Sequence, residues 1–327
     1  MPKFKSNIYL TNMSMAYFQA LEDYVAKAIF PICPVQLQTA SYYKFSKGDL
    51  ARDNVQPKPQ FGKVPPAQFG ISDETYNCNV DQVIVGIDQI SALNYQRSNA
   101  PGVADPRRAK VKFVTEQLNN HLDLLFAKKF FKTGIWTDEM TGAATVADAA
   151  KQFLKFSDTN FDPVEFFDAQ KTKIKQNGRR KPNKLALGAE SYNALKSHPA
   201  IVERVKYTGS TPNPAIVNTQ ALAEILELKE VTVLESTYNA GKLGQTDMQY
   251  ICDPKSALLC YASDSPAVDE PSAGYIFTWD MLGTGNYINV DQWVGEDGTH
   301  AEFIEGLMST DMKKTGDDLA VFLTQCV

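Results

Sequence analysis

Three histidines and five cysteines are the residues of this 327-residue chain that could supply a nucleophile, a proton shuttle or a metal site. None stands in a pattern that such chemistry needs. His121 falls in a long helical stretch with no carboxylate, Cys or His four residues away on either side. His198 precedes Pro199 at an expected helix end, and His300 opens "HAE", half of a zinc-deaminase signature that lacks the P-C-x-x-C partner. Cys33, Cys78, Cys252, Cys260 and Cys326 are scattered, odd in number and form no C-x-x-C pair, so they read as reduced thiols. Cys252 and Cys260 could still face one another across the turn "DPKS". "GAESY" at Gly188 misses the spacing of a hydrolase elbow, and "GTGNY" at Gly283 lacks a strand-loop-helix setting. Asp317 and Asp318 read as a charged turn without a third metal ligand, and the three tryptophans as core or interface residues. The expectation is a chain with no catalytic residue, no cofactor and no metal.

The bulk composition, 43% hydrophobic and 22% charged, is that of an ordinary globular chain. A net charge of -5 without a long basic run gives no footprint of tight nucleic-acid binding. No apolar run reaches the roughly twenty residues needed to cross a bilayer, and the first residues lack the apolar core of a secretion signal. The length favours two lobes over one core.

What the chain has instead is reach. A helix is expected over Met15 to Phe30, stopped by Pro31, with "PICPV" continuing as extended chain. From Gln38 to Asn79 runs an excursion of extended arms that meet at "VQPKPQFGKVPPAQFG", Val55 to Gly70, where four prolines bar both helix and sheet ladder. At about 3.3 Å per residue each arm could extend about 40–50 Å. An isolated two-stranded hairpin is marginal in water, so such an excursion must be completed by docking on another subunit. Asp105 and Pro106 then start a helix of some 27 residues, about 40 Å long, with Val111, Val114, Leu118, Leu122 and Leu125 as its apolar stripe and Gly134 just past its end.

Beyond it, helices are expected at Pro163 to Gln176, over "AESYNALKSH", and at Thr219 to Leu228, alternating with the strands "NKLALG" and "EVTVLES". "MQYICDP" and "SALLCYA" are expected to pair across their turn. The tail gives two strand-like runs, Ala301 to Met308 and Ala320 to Cys326, able to pair with the segment around Val83 to Leu93. That would make a discontinuous domain with an α/β lobe inserted in it.

This order of elements, and the strings "AIFPICPVQLQTASYYKFSKGDLARD", "NKLALGAESYNALKSHPAIVERVKYTG" and "ALAEILELKEVTVLESTYN", resemble the major capsid proteins of tailed bacteriophages with the HK97 fold. The resemblance runs nearly the whole chain. It implies an α+β fold with an N-terminal arm (residues 1–37) and an E-loop (38–79). It further implies a peripheral P domain from residues 80–159 and 286–327, with a spine helix over 105–133, and an axial A domain from 160–285. It implies a subunit that assembles through pentamers and hexamers into an icosahedral head around double-stranded DNA. A portal, a separate scaffolding protein and a decoration protein would be partners, with the virion as location after assembly in the host cytoplasm. An encapsulin-like shell shares this fold and is the alternative, ahead of a cytosolic hydrolase. Candidate interface residues lie in the E-loop: Lys47, Asp49, Arg52 and Asp53 as ion-pair makers, with Lys58, Phe61, Lys63 and Phe69 toward the tip. Lys47, Lys58 and Lys63 match a family cross-linking lysine only in being E-loop lysines, and without a matching asparagine or glutamate the shell is expected to hold together non-covalently.

Overall fold

The computed structural model describes residues 24–90, 92–93, 106–208, 217–266, 270–281 and 287–327. Among them the chain builds two large sheets and two two-stranded ones, with one long helix against the first large sheet. The helix, α3 (Pro106–Lys129), runs 24 residues and lies across the first sheet, burying Val111, Val114, Leu118, Leu122 and Phe126. Leu125, expected in the stripe, is half-buried, and Phe126 takes the inward position. The helix stops four residues short of Thr133 because Phe130 and Phe131 turn into the core, and Gly134 takes the left-handed φ of 84°. Its expected cap, Asp105, lies outside the described residues.

The first sheet runs β1 (Ile32–Val35), β12 (Gly274–Trp279), β14 (Ala301–Lys314), β13 (Ile288–Val294), with β4 (Asn79–Asp88) along the other side of β14. The expected pairing of the tail with the segment at Val83 is present, with Ala301 opposite Asp88 and Thr310 opposite Asn79. Gly306 in β14 lets the helix seat closely, since a Cβ there would meet Val114 Cγ1 at 2.3 Å.

The second sheet runs β6 (Gln152–Leu154), β5 (Glu139–Ala143), β15 (Ala320–Thr324), β11 (Ala257–Cys260), β7 (Lys184–Gly188), β8 (Glu230–Leu234). Helices α4 (Pro163–Gly178), α5 (Ala189–Ser197), α6 (Pro199–Thr208) and α7 (Thr219–Ile225) cover one face through Phe167, Ile174, Leu195, Ile201 and Leu222. Asp162 caps α4, accepting from the Val164 and Glu165 N–H groups at 2.9 and 3.4 Å. The other face joins the first core, where Phe322 meets Phe131 edge-on at 5.2 Å.

Several expectations need correction. Strands β10 (Met248–Tyr250) and β11 do not pair with each other: β10 pairs with β9 (Thr237–Asn239), while β11 lies between β7 and β15. Every residue of β11 is buried and every residue of β10 exposed, so the two could not share one hairpin. Cys252 and Cys260 are both free thiols. Sheet membership also crosses the boundaries drawn at 160 and 286. β5, β6 and β15 join the strands of the expected A domain, and β12 joins the first sheet. Of the helix expected over Met15 to Phe30, residues 15–23 lie outside the described residues; in the remainder α1 (Ala26–Ile29) is helical, and the buried Asp123 accepts from the Ala26 N–H at 3.1 Å.

Candidate assembly surface

The excursion from Gln38 to Asn79 has a root, an elbow and a tip. At the root, β2 (Thr39–Phe45) and β3 (Ile71–Asn77) form an antiparallel pair, Thr39 opposite Asn77 and Phe45 opposite Ile71. Alternation puts Ala40, Tyr42 and Tyr76 toward the body, where they meet Phe277, Cys33, Val35 and Trp279 on the face of the first sheet away from α3. Tyr42 donates to Glu74 at 2.6 Å, and this bond, with Lys44 at 3.2 Å, holds the Glu74 carboxyl below the usual carboxylate range. The Asn77 N–H bonds Asp311 at 2.9 Å, tying the pair to β14.

At the elbow a short helix, α2 (Lys47–Ala51), turns the chain away. Ser46 N–H bonds the Gly70 carbonyl at 2.8 Å, and Gly70 N–H returns a bond to Asp49 at 3.0 Å, keeping that carboxyl below its ordinary pKa. Phe45 and Phe69 lie 5.8 Å apart between ring centroids. Lys47 pairs with Asp318, and Arg179 donates to the Leu50 carbonyl at 3.3 Å, so the elbow rests on the body of its own protomer.

The tip, residues 52–69, forms no helix or strand and carries only a turn in which Gly62 N–H bonds the Pro59 carbonyl at 3.1 Å. Phe61, with a left-handed φ of 63°, is 99% exposed and Val55 88%.

The structure thus separates the eight candidate residues. Lys47 and Asp49 are engaged within the protomer, and Asp53 caps the Val55 N–H at 3.0 Å. Arg52, Lys58, Phe61 and Lys63 stand out on the tip, and Phe69 packs on Phe45 at its base. The aromatic root at Tyr42, Tyr76 and Phe277 was not read from the sequence, although the alternation of "SYYKF" and "ISDETYN" carries it. Nor was the β9–β10 hairpin, whose tip residue Leu243 is fully exposed.

The residues considered for chemistry are occupied elsewhere. His121 Nε2 lies 3.3 Å from Asp81 Oδ2, and buried His198 bonds the Asp158 carbonyl at 3.1 Å. Burial pushes the Cys260 thiol up to about 12 and Cys78 up to about 11, away from thiolate reactivity. Among the described residues no His, Cys, Asp or Glu cluster has metal-binding geometry, and no helix is long and apolar enough to cross a membrane.

No protein-family model matches the chain. The major capsid protein of Burkholderia phage BcepMu is 24% identical over 73% of this chain and 72% of its own length. A phage-related protein from Bordetella bronchiseptica RB50 superposes with a TM-score of 0.71 at 18% identity, covering 98% of this chain and 97% of that one. The capsid of cyanophage P-SCSP1u gives a TM-score of 0.52 at 9% identity, over 90% and 86% of the two chains. The chain has the HK97-type α+β fold of phage major capsid proteins.

Proposed function

We propose that this chain is the major capsid protein of a tailed phage, assembling through pentamers and hexamers into the icosahedral head that encloses double-stranded DNA. The observation that carries the reading is the exposed, apolar, proline-stiffened tip around Phe61, held out from the body by a rooted pair of strands. Buried in an adjacent subunit of the same ring, that tip joins neighbours within a capsomer. Contacts between identical surfaces close into rings when the rotation fits, and many modest contacts per subunit make a stable shell. The second sheet with its helices, ending in the β9–β10 hairpin, serves as the axial lobe. The first sheet with α3 serves as the peripheral lobe that joins capsomers. A scaffolding protein, a portal and a decoration protein complete the set of partners, with assembly in the host cytoplasm and the virion as destination.

Electron microscopy of the purified chain, alone and co-expressed with its scaffold, tests this. Closed shells or capsomer rings are expected. A chain that stays monomeric on a sizing column in both settings overturns the proposal.

A further inference from the structure

Strand β4 is the longest open sheet edge among the described residues. It pairs with β14 on one side and with no described strand on the other. The Gln89 N–H bonds the His300 carbonyl at 2.8 Å, which sets the phase of the ladder. Odd-numbered residues of β4 therefore bond inward to β14, and the backbone groups of Val80, Gln82, Ile84 and Gly86 point outward. Sheet edges in single-chain proteins are normally blunted by lysine, proline or a bulge. "NVDQVIVGID" has no lysine, arginine or proline in ten residues and pairs without a break. It instead exposes apolar side chains, with Ile84 47% exposed and Val80 similar. Beside the edge runs a groove between β4 and α3, lined by Asp81, Gln82, Val83, Gln117, Leu118 and His121. Phe113, one turn before Gln117 on α3, is also exposed.

We propose that this edge is an interface with a second copy of the chain, formed by antiparallel pairing of β4 with β4 about a two-fold axis through Ile84. The sequence of the strand is complementary to itself in that register. Ile84 meets Ile84, Val83 meets Val85, Gln82 meets Gly86, Val80 meets Asp88 and Asp81 meets Ile87. No two like charges are opposed, although the strand carries two aspartates, and the only glycine receives the longest side chain. A slip of two residues either way takes isoleucine off isoleucine. The axis would bring the two α3 helices alongside, with Phe113 and Gln117 of each copy facing the partner. The contact deepens the shell reading and rests on it for the supply of aligned neighbours: it would be the seam between capsomers, distinct from the E-loop contact within one.

Cysteine pairing tests the register. Ile84→Cys, exposed and therefore tolerated, should form an inter-chain disulfide under mild oxidation and run at twice the chain's mass on a non-reducing gel. Val294→Cys, exposed on β13, should not. The reaction is run on assembled particles and on concentrated soluble protein. Shells that form without the Ile84→Cys dimer overturn the edge pairing and leave the shell reading intact. A dimer without shells supports the pairing and counts against the shell. No dimer in either fraction, or a cross-link to a protein of different mass, overturns the proposal. Ile84→Lys, which would oppose two ammonium groups at the axis, should leave the melting temperature unchanged and abolish shells while capsomer rings persist; intact shells would also overturn it.

Discussion

Tyr76 stacks on Phe277 with ring centroids 4.8 Å apart and planes 12° from parallel, and Tyr42 lies 5.5 Å from the same ring. One phenylalanine of the first sheet thus holds both strands of the excursion. Truncating a buried phenylalanine costs about 3–5 kcal/mol. Phe277→Ala should loosen the root while the tip, already exposed, stays as it is. In limited trypsin digestion the native protein should be cut at Arg52 and Lys63, since Pro59 protects the bond after Lys58, and the variant also at Lys44. An unchanged digestion pattern would show that the root is held by its backbone ladder alone.

Phe61 makes the opposite case. With its side chain in solvent, Phe61→Asp should shift protomer stability by no more than about 0.5 kcal/mol. The same change places a charge in the proposed neighbour contact, so shells should be lost under conditions where the native chain forms them. Micrographs together with a thermal melt check both halves, and normal shells would remove the tip from the account of assembly.

Asp123 in α3 is 1% exposed, and burial raises its carboxyl from 3.8 to about 6. The folded protein therefore holds that proton more tightly than the unfolded chain does. Ionising the group costs about 3 kcal/mol, two pKa units at 1.36 kcal/mol each, a cost absent near pH 4 and present in full above pH 6. Stability from this residue falls as the pH rises through that window. Asp123→Asn keeps an acceptor for the Ala26 N–H and removes the titration. The variant should gain on the native chain at pH 7.5, and the gain should shrink at pH 4.5. Parallel melting curves at both pH values would expose an equal offset, the result that contradicts the argument.

Gly306 admits no side chain, since a Cβ would lie 2.3 Å from Val114 Cγ1 and 2.8 Å from Leu118 Cδ1. Gly306→Ala should cost about 1–3 kcal/mol by prising α3 from the sheet. A denaturant midpoint equal to that of the native chain would refute it. Gly298, at φ 91° with open space around it, is the comparison site, where strain alone acts.

Boiled particles run on a denaturing gel should give one band at the chain's own mass, because contacts that are only packed and hydrogen-bonded do not survive detergent. A ladder of multiples would instead identify a covalent bond between subunits, with Lys58 and Lys63 at the exposed tip as the first residues to map.

The long helix, the proline-tipped excursion and the pairing of β14 with β4 were legible because each rests on a local signal. A stripe at spacings of three and four marks α3, prolines mark the tip, and a long apolar run with one free partner marks β14. The second sheet was not legible in the same way. β11 and β15 are apolar on both faces, the mark of central strands, but that pattern does not say which strands lie beside them. β10 was assigned to β11 by nearness in sequence, whereas "TYN" and "MQY" form their own exposed hairpin. At the tip, the prolines marked an irregular, exposed segment. Which charges stay within the protomer depended on the elbow, where Gly70 claims Asp49 and Asp318 claims Lys47, and no spacing in the sequence reports that fold-back.

β15 sits between β5 and β11 in the second sheet, with partners on both sides. On the ribosome the strands on either flank emerge well before it, and until it arrives they remain two separate fragments with apolar margins. A nascent chain therefore has no finished second sheet, and the order of synthesis holds back the closing of that core until β15 is made.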